Sequence, residues 1–292
     1  MVDEVRALGA THVELVVQWV QADVRATEIA PDRLETLPDG RLVEVIRHAR
    51  AVGLQVVLLP IVHLLRRKEG EWRGTLAPAD PAAWWASYHR FTLHYADLAA
   101  REGVAVLSVG SELVSTEADR ERWAGLIGDV RAVYPGKLFY SANWDHYAEV
   151  TFWDLVDYAG ITGYNVLATR ADADLAELVA AWTRIRSDLR NFHARVARPI
   201  LFTEIGYPSQ DGAAMHPWDY TTGRDIDLEE QRLCYEAVRI VWQGEPILAG
   251  LYWWNWFGYG GPRSAYYTPK GKPAEAVIRA WYDPGGRAAA RR

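Results

Sequence analysis

The stretch LQVVLLPIV, residues 54–62, is a continuous run of apolar and mostly branched side chains. A strand covered on both faces reads in this way, whereas a strand with one solvated face alternates apolar and polar residues. Comparable runs recur along the chain and predict seven strands, at residues 11–19, 54–62, 104–112, 137–144, 158–165, 199–207 and 247–256. We therefore expect a largely parallel sheet with helices on its faces.

Segments of helical period separate these runs. Asp80 and Pro81 are expected to open one helix, because proline is favoured at the first helical position. Asp227, with Glu230 three residues later, has the spacing of a capping box. Three glycines follow helical segments where a left-handed C-terminal cap is expected: Gly53, Gly103 and Gly136. Repeated strand–helix alternation over 292 residues indicates either a (β/α)8 barrel or an open doubly wound sheet.

The glycine pattern decides between these two architectures. A doubly wound sheet normally carries a phosphate loop after its first strand, and neither GxGxxG nor GxxxxGK[ST] occurs at that place. We therefore predict a single (β/α)8 TIM-barrel domain over residues 1–283 and a disordered tail over 284–292. Only seven strands are counted and the chain begins in a helical pattern, so the first barrel strand is expected to be missing. Either the gene start is placed too late or the barrel is irregular at that edge.

Composition and charge exclude several classes of function. A net charge of −6 offers no electrostatic footprint for nucleic acid or for an anionic membrane. A single cysteine, Cys234, excludes an internal disulfide framework and is expected to be an inert thiol within a helix. The N-terminus has acidic Asp3 and Glu4 where a secretion signal has basic residues. The apolar runs have only about strand length, so we expect a cytoplasmic protein with no membrane or nucleic-acid partner.

Aromatic residues are unusually frequent, with 14 tryptophans and 15 tyrosines. Aromatic rings stack on the apolar faces of pyranose sugars while their N–H and O–H groups reach sugar hydroxyls. Packing of a large core is the alternative explanation for any single ring. The composition therefore favours a carbohydrate ligand without identifying the rings that would bind it.

Two glutamates end strand-like runs. Glu112 follows VAVLSVGS and Glu204 lies within PILFTEIGY. In (β/α) barrels the active site lies at the C-terminal ends of the strands, and a carboxylate there carries a desolvation cost unless it is paired or used. Two facing carboxylates are the minimum for glycoside hydrolysis, since one donates a proton while the other attacks or activates water. In the alternative interpretation, each glutamate pairs with an arginine or caps the next helix.

Other strand-end residues are candidates for substrate binding. Asn143 and Trp144 lie at the end of the predicted strand 137–144. Trp19 ends the strand of residues 11–19, and His63 follows the strand of residues 54–62. Each could contact a sugar hydroxyl or ring, or belong to the scaffold. A metal site at His63 is not favoured, because no second histidine lies one or two residues away. We therefore expect no metal and no other cofactor.

The sequence also resembles a known group of enzymes. The stretches VELVVQW, VLSVGSELVS, YSANWDHY, FTEIGYPS, PWDY and LYWWNWFG are similar to those of the retaining (β/α)8 glycosidase clan. Within that clan the likeness is greatest to glycoside hydrolase family 113, a β-mannanase-like group. The resemblance covers nearly the whole chain, and its two glutamate motifs are the most specific parts.

The resemblance implies roles for individual residues. Glu112 would be the general acid/base and Glu204 the nucleophile of a retaining mechanism without a metal. Residues that would contact the substrate or hold the nucleophile in place are Tyr164 and Asn165 at the end of the predicted strand 158–165, Trp253 and Trp254 near the end of the predicted strand 247–256, and Ser111. A tyrosine in the place of Tyr164 typically holds the nucleophile, and a tryptophan at the last strand typically lies under the sugar. Ser111 is a departure, since the clan commonly has asparagine there.

The resulting prediction is a retaining endo-β-1,4-mannanase-like glycoside hydrolase that acts on β-linked manno-oligosaccharides with two glutamates. A β-glucosidase or β-galactosidase of the same clan is one alternative, because loop contacts decide sugar identity. A non-catalytic sugar-binding barrel is another alternative, from a different functional class. Both glutamates are present, and this favours the enzyme over the binding module.

Overall fold

A computed structural model describes residues 1–282, which group into two compact units. The first unit comprises residues 11–161 and Val2, and the second comprises the described residues from Thr162 onward with Met1 and Asp3–Ala10. The predicted single domain over residues 1–283 stays a prediction. The predicted disordered tail, 284–292, lies outside the described residues.

The first unit consists of a mostly parallel sheet with three helices. Its elements are β1 (His12–Gln21), β2 (Ile29–Ala30), α2 (Asp39–Ala51), β3 (Gln55–Leu64), α3 (Pro81–Glu102), β4 (Val106–Ser111), α4 (Arg120–Val133), β5 (Lys137–Ala142) and β6 (Tyr158–Thr162), of which Thr162 groups with the second unit. The strand order is β2-β1-β3-β4-β5-β6. All neighbours are parallel except the two-residue strand β2, which pairs antiparallel with β1 and was not predicted.

The second unit contains four helices and two strands among its described residues. They are α1 (Val2–Ala7), of which Val2 groups with the first unit, α5 (Leu175–Val196), β7 (Ile200–Ile205), α6 (Leu228–Trp242), β8 (Leu248–Trp253) and α7 (Pro273–Tyr282). β7 and β8 pair in parallel, with Phe202 opposite Leu251. Among residues 1–282, none of the helices combines the length and apolar character that spanning a bilayer requires.

All seven predicted strands are present, but several end earlier than predicted. β5 ends at Ala142 rather than at Trp144, and β8 ends at Trp253 rather than at Trp256. In both places tryptophans follow after the chain has left the hydrogen-bonded ladder: Trp144 after β5, and Trp254 and Trp256 after β8. Strand-end side chains can therefore point in directions that strict strand alternation would not give them.

Helix ends follow the predicted caps in part. The Asp80 carboxylate accepts from the amides of Ala82 and Ala83, and Gly103 adopts the left-handed C-cap of α3 with φ of 62°. Asp227 caps α6 by accepting from the amide of Glu230.

Two details of the cap predictions are wrong. The Glu230 carboxylate does not return to the Asp227 amide, because it accepts from the amides of Gly212 and Ala214 instead. Gly136 is not a left-handed cap, since α4 ends on an extended Tyr134. Gly136 is required for space: a Cβ atom there would lie 2.2 Å from the Tyr134 hydroxyl.

Candidate active site

Glu112 stands directly after β4 in an unusual backbone conformation. Its φ is 53°, in the left-handed region that costs a non-glycine residue roughly 1–2 kcal/mol. Two contacts to β5 fix the chain at this point. The amide of Glu112 donates to the carbonyl oxygen of Ser141 at 2.7 Å, and the amide of Leu113 donates to the Tyr140 hydroxyl at 2.8 Å. The glutamate is therefore presented by a turn that is hydrogen-bonded on both sides.

The Glu112 carboxylate contacts a cation from a neighbouring loop. Arg73, in the short helical turn Arg73–Thr75, donates from Nη2 to Glu112 Oε2 at 2.7 Å. Both side chains are largely shielded from solvent, with 22% exposure for Arg73 and 10% for Glu112. Such a charge-assisted contact fixes the orientation of the carboxylate. The arginine pairing considered as an alternative for Glu112 is thus present, and sequence reasoning did not identify Arg73 as the partner.

Ser111 is buried next to Glu112. Its Oγ atom has no hydrogen-bond partner among the described residues, although the residue itself pairs with Ser141 in the sheet. A buried hydroxyl without a partner loses its water contacts without compensation. Ser111 directly precedes the predicted acid/base, and its contact with a sugar hydroxyl stays a prediction.

A second carboxyl lies five residues beyond Glu112 and was not singled out from the sequence. Glu117 is 3% exposed, and its Oε1 accepts from the Tyr140 hydroxyl at 2.7 Å. Burial raises the pKa of Glu117 to about 7, although the Tyr140 hydrogen bond acts in the opposite direction. Burial and the neighbouring Glu117 raise the pKa of Tyr140 well above its usual value.

The residues after β5 form a local polar cluster. Asn143 Nδ2 donates to Asp145 Oδ1 at 2.7 Å, and His146 Nδ1 lies 2.8 Å from the same oxygen. This contact to Asp145 raises the pKa of His146. Asn143 and Trp144 are both half-buried, so each keeps part of its surface available. Their predicted role in binding sugar hydroxyls stays a prediction.

Two further candidates of the first unit differ in their surroundings. The Trp19 ring packs against Phe91, His94 and Tyr95 of α3, with the ring of His94 at 5.0 Å. This position is on the helix side of β1, and it favours the scaffold interpretation of Trp19. His63 is half-buried in β3, paired in register with Val20.

Glu204 lies within β7 and contacts a tyrosine hydroxyl. Tyr164, two residues after β6, donates from Oη to Glu204 Oε2 at 3.1 Å. The Glu204 carbonyl oxygen accepts from the amide of Gly163 at 2.5 Å, so the backbones of both segments are also joined. Tyr164 and Glu204 are buried, with 8% and 6% exposure. The contact that the resemblance implies for Tyr164 is present. The half-buried Asn165 follows directly.

The two tryptophans at the end of β8 have opposite surroundings. Trp253 stacks on Tyr235 of α6, with ring centroids 4.2 Å apart, and meets Trp281 of α7 edge-on. Trp253 is therefore part of the helix packing. Trp254, which is joined to Asn255 by a cis peptide bond, lines a cavity instead. Of this predicted pair, Trp254 is the one that lines the cavity.

The cavity at Trp254 has a volume of about 580 Å³. Its wall is rich in aromatic side chains, several of them exposed: Tyr220, Trp254, Phe257, Tyr259, Tyr266 and Tyr267. A buried lysine supports one side of it. Lys272 donates to the Tyr266 carbonyl oxygen at 2.6 Å and to Ser209 Oγ at 2.8 Å. Burial lowers the pKa of Lys272 to about 8.

An acidic group elsewhere in the second unit has the composition of a metal site. Carboxylate oxygens of Asp211, Asp227 and Glu230 lie within 4.8 Å of one another. Two of the three carboxylates make hydrogen bonds that stabilise the local structure. Asp227 caps α6, and Glu230 accepts from the loop amides of Gly212 and Ala214. We assign this group a role in holding that loop.

Comparison with known proteins gives a consistent result. The model of Glycoside Hydrolase Family 113 matches residues 1–266. A solved complex of a GH113 β-1,4-mannanase has a TM-score of 0.86 and 25% sequence identity, over 96% of this chain and 90% of that chain. A GH113 β-mannanase from Alicyclobacillus acidocaldarius in complex with ManMIm has a TM-score of 0.84 and 28% identity, over 97% and 91%.

More distant structures share the fold alone. A fungal β-1,4-galactanase has a TM-score of 0.59 and 17% identity, over 95% of this chain and 89% of that chain. None of the curated protein sequences compared with the chain matches it. The matched residues 1–266 include both strand-end glutamates.

Proposed function

Because the chain belongs to glycoside hydrolase family 113, we propose that it hydrolyses β-linked manno-oligosaccharides by a retaining mechanism with Glu112 and Glu204. Family membership confirms three predictions: the resemblance itself, the (β/α)8 fold class and the glycoside hydrolase activity. The residue roles, the stereochemistry and the sugar are the proposed part.

The contact between Tyr164 and Glu204 carries the proposal. A tyrosine hydroxyl that donates to a buried carboxylate holds it in one rotamer and stabilises its charge. A nucleophile needs both properties, because it must be ionised and aimed before the substrate arrives. Glu204 is therefore assigned as the nucleophile and Tyr164 as the residue that orients it.

In each cycle Glu112 gives up and regains one proton, and Glu204 forms and breaks one bond to the sugar. In the first step Glu112 gives its proton to the glycosidic oxygen while a Glu204 oxygen attacks the anomeric carbon. The C–O bond to the leaving sugar breaks, and that sugar departs as an alcohol. In the second step water gives a proton to Glu112 and its oxygen attacks the anomeric carbon, which releases Glu204. Two inversions give a product with retained configuration.

The ion pair of Glu112 with Arg73 has a consequence for this cycle. Proton donation requires Glu112 to be protonated, whereas the contact to Arg73 is made by an ionised carboxylate. The pair therefore has to loosen when the proton is taken up and re-form after it is given away. In this proposal Arg73 stabilises the negative charge that Glu112 carries at the end of the first step.

The substrate is proposed from the comparisons and from the cavity. The similar structures are described as β-1,4-mannanases and as a β-mannanase. The aromatic wall around Trp254 suits the apolar face of a pyranose, with ring stacking supplying affinity and hydroxyl contacts supplying orientation. Manno-oligosaccharides are accordingly the substrate class to test first.

The test is a panel of manno-oligosaccharides and aryl β-glycosides of mannose, glucose and galactose, assayed with the wild type, Glu204→Gln and Glu121→Gln. Glu121 lies on the exposed side of α4, so its substitution is the matched control. We expect turnover of the mannosides with retained configuration by NMR, loss in Glu204→Gln and no change in the control.

Other outcomes overturn defined parts of the proposal. Preferential turnover of a glucoside or galactoside would overturn the proposed sugar but not the proposed mechanism. Inverted product configuration removes the nucleophile assignment. Binding of manno-oligosaccharides without turnover of any glycoside favours the sugar-binding alternative.

A further inference from the structure

Glu117 is connected to the backbone of Glu112 through one hydroxyl group. The Tyr140 hydroxyl donates to Glu117 Oε1 at 2.7 Å and accepts from the amide of Leu113 at 2.8 Å. That amide belongs to the peptide bond that follows Glu112. The Glu117 carboxyl thus orients the Tyr140 hydroxyl, which accepts a hydrogen bond from the backbone amide directly after Glu112.

Both ends of this connection are held by other contacts. Tyr140 has no exposed surface and packs edge-on against Trp123 and Phe152. The carbonyl oxygen of Glu117 accepts from Thr151 Oγ1 at 2.8 Å. A hydroxyl with fixed donors and acceptors cannot rotate to find substitutes, so each of its two hydrogen bonds depends on the other.

The end of β4 leaves no room for a looser arrangement. A Cβ atom at Gly110 would lie 2.6 Å from the Tyr88 hydroxyl and 3.0 Å from the Tyr140 ring. The strand therefore approaches these rings as closely as a backbone can. A positive φ of a non-glycine residue persists only where its surroundings determine it, and here the Tyr140 hydroxyl is one of those determinants.

We propose that Glu117 is a positioning residue, which holds Glu112 in its left-handed conformation through the Tyr140 hydroxyl and so aims the proton donor at the glycosidic oxygen. The inference rests on the proposed acid/base role of Glu112. Glu117 itself does not touch the substrate in this assignment.

The ionisation of Glu117 makes the connection sensitive to pH. Burial is the largest influence and raises the pKa of Glu117 to about 7, so the group ionises near neutrality. Tyr140 of β5 and His146 lower this pKa, whereas Glu112 and Glu149 raise it further. An ionised acceptor strengthens the bond from Tyr140. Glutamine at this position keeps an acceptor oxygen but does not ionise.

The test compares two leaving groups in four variants. Glu117→Ala and Tyr140→Phe break the connection, and Glu117→Gln retains an acceptor. Tyr134→Phe is the matched control, because its buried hydroxyl donates to the Val104 carbonyl oxygen before β4. Manno-oligosaccharides need a proton on the leaving oxygen, whereas 2,4-dinitrophenyl β-mannoside needs almost none. A misplaced proton donor therefore lowers kcat/KM, which reports the first chemical step, for the manno-oligosaccharides but not for the aryl glycoside.

We expect kcat/KM for manno-oligosaccharides to fall on the order of tenfold or more in Glu117→Ala and Tyr140→Phe. The same quantity for the dinitrophenyl glycoside should change less than about threefold, and Glu117→Gln should restore most of the loss. In Glu117→Gln the ionisation near pH 7 should disappear from the pH profile of kcat/KM for manno-oligosaccharides.

If Glu117 had only a structural role, its loss would lower kcat/KM for both substrates alike, in parallel with the melting temperature. Tyr134→Phe would then resemble Tyr140→Phe. That result, or full activity of Glu117→Ala on manno-oligosaccharides, overturns the proposal. A wild type that turns over neither substrate contradicts the proposed function instead, so the two failures are distinguishable.

Discussion

Glu112 and Glu204 end similar apolar runs, yet the two units of the molecule hold them differently. Glu112 stands beyond the end of β4 in a left-handed conformation and contacts the guanidinium of Arg73. Glu204 lies inside β7 and contacts the neutral hydroxyl of Tyr164. The first carboxylate is held by a turn and an ion pair with Arg73, and the second by a strand and a neutral hydroxyl.

This difference agrees with the two proposed roles. A nucleophile performs the same act in each cycle and gains from a rigid strand position. A proton donor has to change its charge twice per cycle, and a neighbouring guanidinium stabilises its ionised form. The strand fixes the position of the Glu204 carboxylate, whereas the arginine stabilises the ionised form of Glu112.

The largest expected effect separates the roles directly. Glu204→Gln should lower kcat for every glycoside on the order of 10⁴-fold or more, because no other group can form the glycosyl–enzyme. Mannoside binding, measured by calorimetry, should persist, since the aromatic wall is unchanged. Residual turnover within about 100-fold of the wild type would contradict the comparison.

Glu112→Ala should show a smaller loss that depends on the leaving group. General acid catalysis contributes roughly 10²–10⁴-fold, so manno-oligosaccharide turnover should fall by that factor. With the dinitrophenyl mannoside the first step should persist, and added azide should yield a β-mannosyl azide. Absence of that product, with Glu204→Gln inactive, would remove Glu112 from the acid/base role.

Tyr164→Phe tests the neutral hydroxyl at Glu204. A hydrogen bond to a charged group contributes about 1.5–3 kcal/mol, so kcat/KM should fall roughly tenfold to 100-fold for both kinds of leaving group. Tyr235→Phe is the control, because its buried hydroxyl has no partner among the described residues. Equal effects of the two substitutions would mean that the Tyr164 contact does not matter for turnover.

Glu117 in the first unit and Lys272 in the second should change the stability of the protein with pH in opposite directions. Glu117 has a pKa raised from 4.5 to about 7, so the folded state retains its proton longer than the unfolded state. Its contribution to stability is lost as pH rises from about 4.5 to about 7. Relative to the wild type, Glu117→Gln should gain on the order of 1–2 kcal/mol between pH 5 and pH 8 in urea unfolding. A constant difference between the two proteins would contradict this ionisation.

Lys272 in the second unit is expected to act in the other direction, with the smallest effect. Its pKa is lowered from 10.5 to about 8, so the folded state loses the proton first and stability rises with pH between these values. Lys272→Met should remove that rise, which is best measured as the melting temperature at pH 7.5 and pH 9.5. A rise of equal size in the variant would assign it to another group.

Much of the fold follows from the sequence because strands and helix caps are local features. The run of residues 54–62 is too apolar for anything but a buried strand, and Asp80 with Pro81 marks a helix start by chemistry alone. The two-residue strand β2 has no such signal, since its two residues carry no repeating pattern. The reach of Glu230 to a loop could not be foreseen, because its spacing from Asp227 also fits a local cap.

The candidate site divides in the same way. The glutamates and Tyr164 follow apolar runs, and their position on the chain points to them. Arg73 lies in a segment that also offers Arg66 and Arg67, and only the folded loop decides which arginine reaches Glu112. Alternation states that Trp253 and Trp254 face opposite sides, but not which one faces the helices. That choice depends on Tyr235 and Trp281.

Cys234 gives the protein a practical use of another kind. It is the single cysteine of the chain, has no exposed surface within α6, and its burial raises the pKa of the thiol well above its usual value. Thiol reagents attack exposed thiolates, so the native protein should remain unlabelled by maleimide dyes. A cysteine introduced at the fully exposed Tyr259 on the cavity rim would then carry a fluorophore alone. Its emission would test whether sugars enter this cavity, without any prior removal of native thiols.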